Sequence, residues 1–454
     1  MIIYDRNKFL KVFLKKYIVV LFMLLNLFLI MYLCRDKILV AFSFVINLII
    51  ITYILNVLTM EKSMKAMLAT FFVFFYCYMF LTPMFQINYG VFPNTMVYSE
   101  DLVLKGNIYI SIFMYFYILG YKFMKMKPFD FCRIDKYIND KFLKKLLLLC
   151  ILITIIMSKD IITQLLNLGG STSFGDDEVS RALIKRVLLM IPLGYIFCVI
   201  SSYKNIKNKY IHKYASVLLL IIYFNPLMQK RNSLGPIILS LVFYFWIKKV
   251  GNFGYALLNV AILLIIFPSV KIFIHDYYFY DINTIIQRIN KFSVYDEFIW
   301  LDFDAYSNYL ATLNYTKEYG LTYGKQIISS LLFFVPRKLW PTKGLSTGVF
   351  IGNYLMTHYN MWFDNLSNPI VSEFYIDFGL IGMIIFSFIF GVLAKKIDIS
   401  SISNFGKILA LYISMYMIFL LRGALMPALA YLVGPMVAIL LPIYIYKILL
   451  KSRL

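Results

Sequence analysis

Apolar residues occur in long runs along most of the chain, separated by short connections rich in lysine and arginine. Runs of about 17 to 25 residues are long enough to cross the hydrocarbon core of a bilayer as α-helices. The approximate predicted spans are residues 17–33, 38–58, 66–85, 106–123, 143–157, 187–203, 214–228, 233–247, 254–274, 370–394, 407–421 and 428–446. The pattern therefore predicts an all-α, polytopic integral membrane protein with about twelve transmembrane helices.

One long polar interval, residues 275–369, interrupts this pattern. It separates the first nine predicted spans, in residues 1–274, from the last three, in residues 370–454. We interpret the whole chain, residues 1–454, as a single membrane domain that carries one large loop.

The loop has its own helical pattern. Apolar residues at helical spacing, such as Phe303, Tyr306 and Leu310, predict amphipathic helices that lie on the membrane surface. The loop closes with FVPRKLWPTK, residues 334–343, and is followed by NPIVSEFYIDFGLIG, residues 368–382. The second segment predicts a helix that enters the membrane with acidic residues in its first turns.

Composition agrees with a membrane protein. Hydrophobic residues make up 61% of the 454 residues and the mean hydropathy is +0.77, which is more apolar surface than a soluble domain can bury. The net charge of +22 is distributed in short clusters between apolar runs. Such clusters are typical of topology signals, so we expect no nucleic-acid partner.

The basic clusters also predict the orientation. They fall at both ends of the chain and at alternate connections: Arg6 to Lys16, Lys62 with Lys65, Lys122 to Lys145, Lys204 to Lys213, Lys248 with Lys249, Lys395 with Lys396, and Lys447 to Arg453. Because Lys and Arg are enriched in cytoplasmic connections, both termini are predicted to be cytoplasmic. The loop at 275–369 is then extracytoplasmic.

Some cations fall on the predicted outer side, against this bias. They are Lys230 with Arg231, Arg337 with Lys338 and Lys343, Arg422, and the group Arg181, Lys185 and Arg186. Guanidinium groups suit phosphate because their planar fork donates two parallel hydrogen bonds. These residues predict a diphosphate site, the alternative being arginines that reach lipid headgroups or cap helix carbonyls. The last group follows three acids, as in an ordinary helix with acids first and bases last.

Two carboxylates lie near the start of the tenth predicted span, where an unpaired charge is costly. They are Glu373 and Asp377, which lies one helical turn later on the same face. The helix dipole and an outer arginine can stabilise Glu373. Trp340 is typical of the aromatic belt at a membrane surface. No outer cluster has the spacing of metal ligands, so no metal is predicted.

The chain resembles the bacterial O-antigen and capsule repeat-unit polymerases, often called the Wzy family. The resemblance rests on FVPRKLWPTK followed by SEFYIDFGLIG, residues 372–382, and preceded by FDAYSNYL, residues 303–310. The segments KRNSLGP, residues 230–236, and LRG, residues 421–423, add to it. The first part of the chain matches the family only in hydropathy.

The resemblance implies a type C-like glycosyltransferase in the bacterial cytoplasmic (inner) membrane, with its active site on the outer face beneath the loop. Such enzymes join undecaprenyl-diphosphate-linked oligosaccharide repeat units into O-antigen, capsule or exopolysaccharide. They need no nucleotide sugar and no cofactor. The implied partners are the lipid-linked oligosaccharide, the bilayer, a chain-length regulator and a flippase.

On this interpretation Arg337, Glu373 and Arg422 are catalytic, with Glu373 as the candidate general base or hydrogen-bond anchor for the sugar. Trp340 can stack on a sugar ring instead of belonging to the aromatic belt. The predicted substrate-binding residues are Arg231, Lys230, Lys338, Lys343, Trp340, Asp377 and His358. His358 is included because related O-antigen ligases are thought to use a loop histidine, the alternative being a surface histidine. Two other functions stay open: a ligase, and a flippase for lipid-linked oligosaccharides. Carriers usually have internal repeats and short loops, and neither is evident in this chain.

Overall fold

The computed structural model describes residues 2–123, 126–159, 161–162, 179–225, 231–269, 286–287 and 293–452. In these residues all regular secondary structure is helical, so the predicted all-α class is confirmed. The main helices are α1 (Ile2–Leu33), α2 (Ile38–Met60), α3 (Ala66–Tyr89), α4 (Glu100–Lys122), α5 (Asp140–Ile156), α6 (Val179–Ser202), α7 (Lys209–Tyr223), α8 (Arg231–Ala261), α9 (Ala305–Tyr319), α10 (Lys325–Leu331), α11 (Thr347–Tyr359), α12 (Ile370–Ser400), α13 (Asn404–Arg422) and α14 (Leu425–Lys451).

Within the described ranges, nine helical stretches are long and apolar enough to cross a membrane, as expected for a polytopic membrane protein. They are Lys15–Leu33, Ile38–Met60, Ala66–Tyr89, Glu100–Lys122, Ile184–Asn205, Ser233–Ser269, Ile370–Ser400, Asn404–Arg422 and Leu425–Leu450. The predicted spans at 143–157 and 214–228 coincide with α5 and α7, whose 17 and 15 residues make them shorter than these nine. The number twelve stays a prediction.

The predicted span 233–247, and the span 254–274 as far as Ser269, fall within one stretch of 37 residues, and residues 270–274 lie outside the described residues. This stretch reverses direction at Gly251, where φ is +72°. The ring centroids of Phe243 and Tyr255 are 4.6 Å apart, whereas a straight helix would separate these residues by about 18 Å. The described part therefore contains two antiparallel helical legs, as the two predicted spans require.

Helix α12 also reverses, at Gly379, where φ is +60°. The ring centroids of Phe374 and Phe386 are 4.8 Å apart instead of the roughly 18 Å of a straight helix. Residues 370–378, here called the folded-back leg, thus pack against residues 380–400. The predicted helix does begin with acidic residues in its first turns, but residues 370–394 do not form the single uninterrupted span that was predicted. Hydropathy cannot reveal this reversal, because apolar residues flank Gly379 on both sides.

Several helices begin at a side-chain cap, which satisfies an N–H group that the helix itself cannot pair. Ser99 accepts a hydrogen bond from Leu102 N at the start of α4, and Ser403 accepts one from Gly406 N at the start of α13. Both serines lie in short connections between long apolar runs. The caps therefore help to fix where these two helices begin.

Helices α4 and α12 approach each other closely through two glycines. A Cβ atom on Gly391 would lie 2.1 Å from the Tyr117 carbonyl oxygen, and one on Gly120 would lie 2.0 Å from the Phe388 carbonyl oxygen. Both distances are too short for any side chain. Small residues allow helix backbones in membranes to pack at this distance.

We expect Gly391→Ala to lower the free energy of unfolding by about 1–3 kcal/mol, because the new methyl group must push the two helices apart. Thermal unfolding of the purified protein in one detergent measures the change. Gly235→Ala is the matched control, because a Cβ atom there meets no atom within 4 Å. An equal melting temperature for Gly391→Ala and Gly235→Ala would contradict the close packing.

The described part of the loop, residues 293–369, packs on one end of the helical bundle, here called the loop end. Helix α9 is buried from Ala305 to Leu313, so the prediction that it lies on the membrane surface is wrong. The hydroxyl groups of Tyr306 and Tyr309 donate to Asn107 Oδ1 at 2.9 Å and to the Gly106 carbonyl at 3.2 Å. Helix α9 is thereby fixed against α4.

Basic residues from different helices meet at the opposite end. The Nζ atoms of Lys65 and Lys395 lie 5.9 and 5.0 Å from the centroid of the Tyr121 ring. Asp398 accepts hydrogen bonds from the Tyr121 hydroxyl at 2.6 Å and from Met67 N at 2.9 Å. The basic clusters after α2 and near the end of α12 thus lie on one side, as predicted. That this side is cytoplasmic stays a prediction.

Candidate functional site

Arg422, the last residue of α13, lies at the loop end. Its Nη2 atom donates to the Leu301 carbonyl at 2.8 Å and to Asp304 Oδ1 at 3.2 Å. Its guanidinium carbon is 5.8 Å from the centroid of the Tyr78 ring, which belongs to a π-helical turn in α3. The Arg422 side chain is 22% exposed. The guanidinium is therefore held in one orientation while part of the side chain stays accessible. Its Nε atom is buried and has no hydrogen-bond partner among the described residues.

Asp304 holds this arginine and was not predicted as a site residue. It accepts hydrogen bonds from the Ser367 hydroxyl and from Asn308 Nδ2, the latter at 2.9 Å. Burial raises the pKa of Asp304, although the charge of Arg422 and the bonds from Ser367 and Asn308 oppose the rise. Asp304 thus connects α13 to α9 and to the end of the loop.

Glu373 lies on the folded-back leg and is fully buried. Its Oε1 atom accepts hydrogen bonds from the Thr347 hydroxyl and from Leu425 N, the latter at 2.7 Å. Its Oε2 atom has no hydrogen-bond partner among the described residues. Glu373 therefore joins the start of α11 to the start of α14, three residues after Arg422. In this conformation it contacts protein groups and not solvent, which favours a positioning role over the predicted role of general base.

Asp377 lies one turn after Glu373, as predicted, but has other partners. Its Oδ1 atom accepts from the Thr322 hydroxyl and from Gln326 N at 3.2 Å, and its Oδ2 atom accepts from Ile327 N at 2.7 Å. Both oxygens thus pair N–H groups in the first turn of α10. This geometry gives Asp377 a structural role, and its predicted contact with substrate stays a prediction.

The cationic turn at 334–343 is braced by its own side chains. Arg337 donates from Nη1 to the Lys343 carbonyl at 2.6 Å and from Nη2 to the Gly344 carbonyl at 3.0 Å. Lys343 Nζ donates to the carbonyls of Phe333 and Val335 at 2.8 and 3.0 Å. Burial, and then the charge of Arg337, lower the pKa of Lys343. The bonds from Arg337 to the Lys343 and Gly344 carbonyls use two of its five N–H donors and fix the direction of its guanidinium group.

Helix α10 connects this turn to the folded-back leg. Gly344 N donates to the Ser329 hydroxyl of α10 at 2.9 Å, while the first turn of α10 is held by Asp377. A second connection runs from the turn to Thr347 and hence to Glu373. Arg337, Glu373 and Arg422 are therefore connected at the loop end through hydrogen bonds that alternate with short stretches of backbone.

Other predicted site residues lie farther away or are less well described. His358 is exposed, about 16 Å along α11 from Thr347, and its Nε2 atom lies 3.1 Å from the Tyr319 hydroxyl. Lys230 lies outside the described residues, and Arg231 is described only as the first backbone position of α8. The structure does not bring His358 together with Glu373.

Lys338 and Trp340 share the braced turn with Arg337. Lys338 is exposed and Trp340 is half-buried. The backbone N–H of Trp340 donates to the Pro336 carbonyl at 3.2 Å, so its position depends on the shape of the turn. Both residues remain candidates for contact with a ligand of the turn.

The site also contains polar residues that sequence reasoning missed, namely Asp304, Thr347 and Ser367. Asp304 belongs to the segment FDAYSNYL, where polar residues at helical spacing face buried partners and not solvent. Asp304 is followed by Ser307 and Asn308, three and four positions later, and this helical spacing of polar residues could have indicated a buried polar helix. Thr347 and Ser367 carry no comparable signal.

The arrangement suits an anionic ligand. Two guanidinium groups are held in fixed orientations at one end of the bundle, and buried carboxylates position the segments that carry them. In the described part of the chain, no group of three or more His, Cys, Asp or Glu residues is placed to hold a metal ion. No protein-family model, no curated protein and no solved structure matches this chain.

Proposed function

We propose that this protein is a polysaccharide polymerase that joins undecaprenyl-diphosphate-linked oligosaccharide repeat units. The observation that carries the proposal is the orientation of Arg422 by Asp304 at the end of a membrane bundle, directly beneath a large loop. A fixed arginine in a sheltered site suits a diphosphate group. The resemblance of FVPRKLWPTK and SEFYIDFGLIG to the repeat-unit polymerases supports the same substrate.

The proposed reaction transfers a glycan between two lipid carriers. The bond between the anomeric carbon of the donor and its diphosphate oxygen breaks, and a hydroxyl group of the acceptor repeat unit forms the new glycosidic bond. The acceptor proton passes to a base, and undecaprenyl diphosphate leaves. Arg422 and Arg337 stabilise the charge that develops on the departing diphosphate, because preorganised donors act strongly in a sheltered site.

Glu373 and Asp304 support this chemistry by position. Glu373 fixes the backbone N–H of Leu425, and Asp304 fixes the guanidinium group of Arg422. Each therefore holds one side of the short segment that ends α13 and begins α14. A guanidinium that is held by Asp304, on a segment that Glu373 also anchors, needs little reorganisation when charge develops.

The proposal includes a location and a topology. We place the protein in the bacterial cytoplasmic membrane with about twelve spans in a type C-like arrangement, both termini cytoplasmic and the loop outside. The nine apolar stretches in the described ranges and the basic residues gathered at the end opposite the loop support this topology.

A strain that lacks this protein is expected to make only single-repeat glycans, because chain growth stops while export and attachment continue. A gel of lipid-linked and surface glycan measures the chain lengths, and a plasmid copy of the gene should restore the ladder. Loss of all outer glycan would contradict a polymerase and favour a flippase or a ligase. An unchanged ladder would exclude all three functions for this glycan.

A further inference from the structure

An apolar groove lies between α6 and α14 and is closed on one side by the loop. Its volume is about 330 Å³. Its lining residues come from α6, α14 and the loop: Ile184, Arg186, Val187, Leu188, Ala430, Val433, Gly434, Val437, Phe333 and Phe334. Every lining side chain except that of Arg186 is apolar. The groove thus offers a hydrocarbon surface with one cation.

Arg186 is placed to bind an anion. Its guanidinium carbon lies 3.4 Å from the centroid of the Tyr431 ring, so the group stacks on an aromatic face. Within the residues that the structure describes, no hydrogen bond or ion pair involves the Arg186 side chain. A stacked guanidinium keeps its N–H donors in its own plane, where they can bind a phosphate in a bidentate manner.

The groove adjoins the candidate site. Tyr431 lies about 9 Å along α14 from Leu425, whose N–H group donates to Glu373. Phe333 and Phe334 immediately precede the braced turn, and the Phe333 carbonyl accepts a hydrogen bond from Lys343. A ligand in the groove with its polar end at Arg186 would therefore lie beside the segments that lead to Arg337 and to Arg422.

We propose that this groove binds the first isoprenoid units of the lipid carrier, with Arg186 binding the phosphate nearest the chain. This inference rests on the proposed function and names the lipid subsite of the same site. The apolar walls match a hydrocarbon chain. The guanidinium of Arg186, which has no hydrogen bond or ion pair among the described residues, matches a phosphate at the end of that chain. The sequence pattern of acids first and bases last does not explain the stacking of Arg186 on Tyr431.

Binding of farnesyl diphosphate to the purified full-length protein in detergent tests the proposal, with isothermal titration calorimetry as the readout. Arg186→Gln should weaken binding about tenfold or more, since a charge-assisted hydrogen bond contributes about 1.5–3 kcal/mol. Gly434→Leu should weaken it similarly by filling the groove. A Cβ atom on Gly434 meets only Val187 Cγ2, at 3.8 Å, so the larger side chain has room to enter.

Two variants serve as controls. Arg35→Gln makes the same substitution at an exposed arginine outside the groove lining, and its affinity should stay within about twofold of the parent protein. Gly434→Ala removes the same glycine with little filling and should also bind normally. Melting temperatures of all four variants show whether any loss of binding reflects misfolding.

Three outcomes would overturn the proposal: unchanged affinity in Arg186→Gln and Gly434→Leu, inorganic diphosphate binding as tightly as farnesyl diphosphate, or phosphatidylglycerol competing equally well. Equal competition by phosphatidylglycerol would show that the groove is a non-specific lipid-binding site. The two proposals can fail independently. If the polymerase proposal is wrong but the groove proposal is right, the deletion strain has an unchanged glycan ladder while farnesyl diphosphate still binds at the groove.

Discussion

Replacing Arg422 by lysine is expected to reduce glycan chain growth about a hundredfold or more while the protein still accumulates in the membrane. Lysine keeps the positive charge but lacks the planar guanidinium group. That group contacts Asp304 and the Leu301 carbonyl and still has further donors for a diphosphate. Removing one preorganised donor from a developing charge typically costs about 10²–10³ in rate. The measurement is the amount of glycan longer than one repeat in a deletion strain that carries the variant.

Arg35→Lys is the matched control, because Arg35 is an exposed arginine in the connection between α1 and α2. It should restore the normal ladder. If Arg422→Lys also restores the normal ladder, Arg422 does not act on the diphosphate.

Variants of the ion pair between Arg422 and Asp304 can separate an effect on stability from an effect on glycan transfer. Arg422→Ala alone leaves Asp304 buried without its cation, which should lower the free energy of unfolding by about 3–5 kcal/mol. Adding Asp304→Asn removes the unpaired charge and should recover much of that stability. Chain growth should remain absent in the double variant, because the diphosphate still lacks its arginine. Recovery of both stability and chain growth would give the arginine a purely structural role.

Glu373→Ala is expected to abolish chain growth and to destabilise the protein, whereas Glu373→Gln should keep chain growth within about tenfold of normal. Alanine leaves the Thr347 hydroxyl and Leu425 N without their acceptor, at a cost of about 1–3 kcal/mol. Glutamine retains an acceptor oxygen at the same place. Melting temperature and glycan length, measured on the same preparations, test both parts.

Glu100→Gln provides the control, because it changes an exposed carboxylate in the first turn of α4 and should alter neither quantity. A general base behaves differently from a positioning group. If Glu373→Gln folds normally but loses chain growth by about 10²–10⁴, Glu373 is the base first predicted from the sequence and its burial must be relieved during the reaction.

Hydropathy was sufficient for the fold class and for most of the span positions, because crossing a bilayer demands long apolar helices. It also separated the two legs that meet at Gly251. It could not detect the reversal at Gly379, where one apolar helix folds back on another and no polar connection intervenes. The folded-back leg changes the surroundings of Glu373 and Asp377 from a helix entrance to a buried junction.

The candidate site was predicted in part. The positions of charged residues on the predicted outer side were enough to choose Arg422, Arg337 and Glu373 as candidates. The structure places all three at the loop end. Asp304 was missed because the polar residues of α9 suggested a surface helix, whereas they pair with each other in the interior. Partners of this kind depend on contacts between distant segments, and no local pattern encodes them.

Reconstitution measures bond formation between lipid-linked repeat units without other enzymes. The purified protein is placed in liposomes with one synthetic undecaprenyl-diphosphate-linked repeat unit. We expect glycans longer than one repeat, with one undecaprenyl diphosphate released for each bond formed, and none with Arg422→Lys. Repeat units that remain single, or that only cross the bilayer, would contradict the proposed polymerase function.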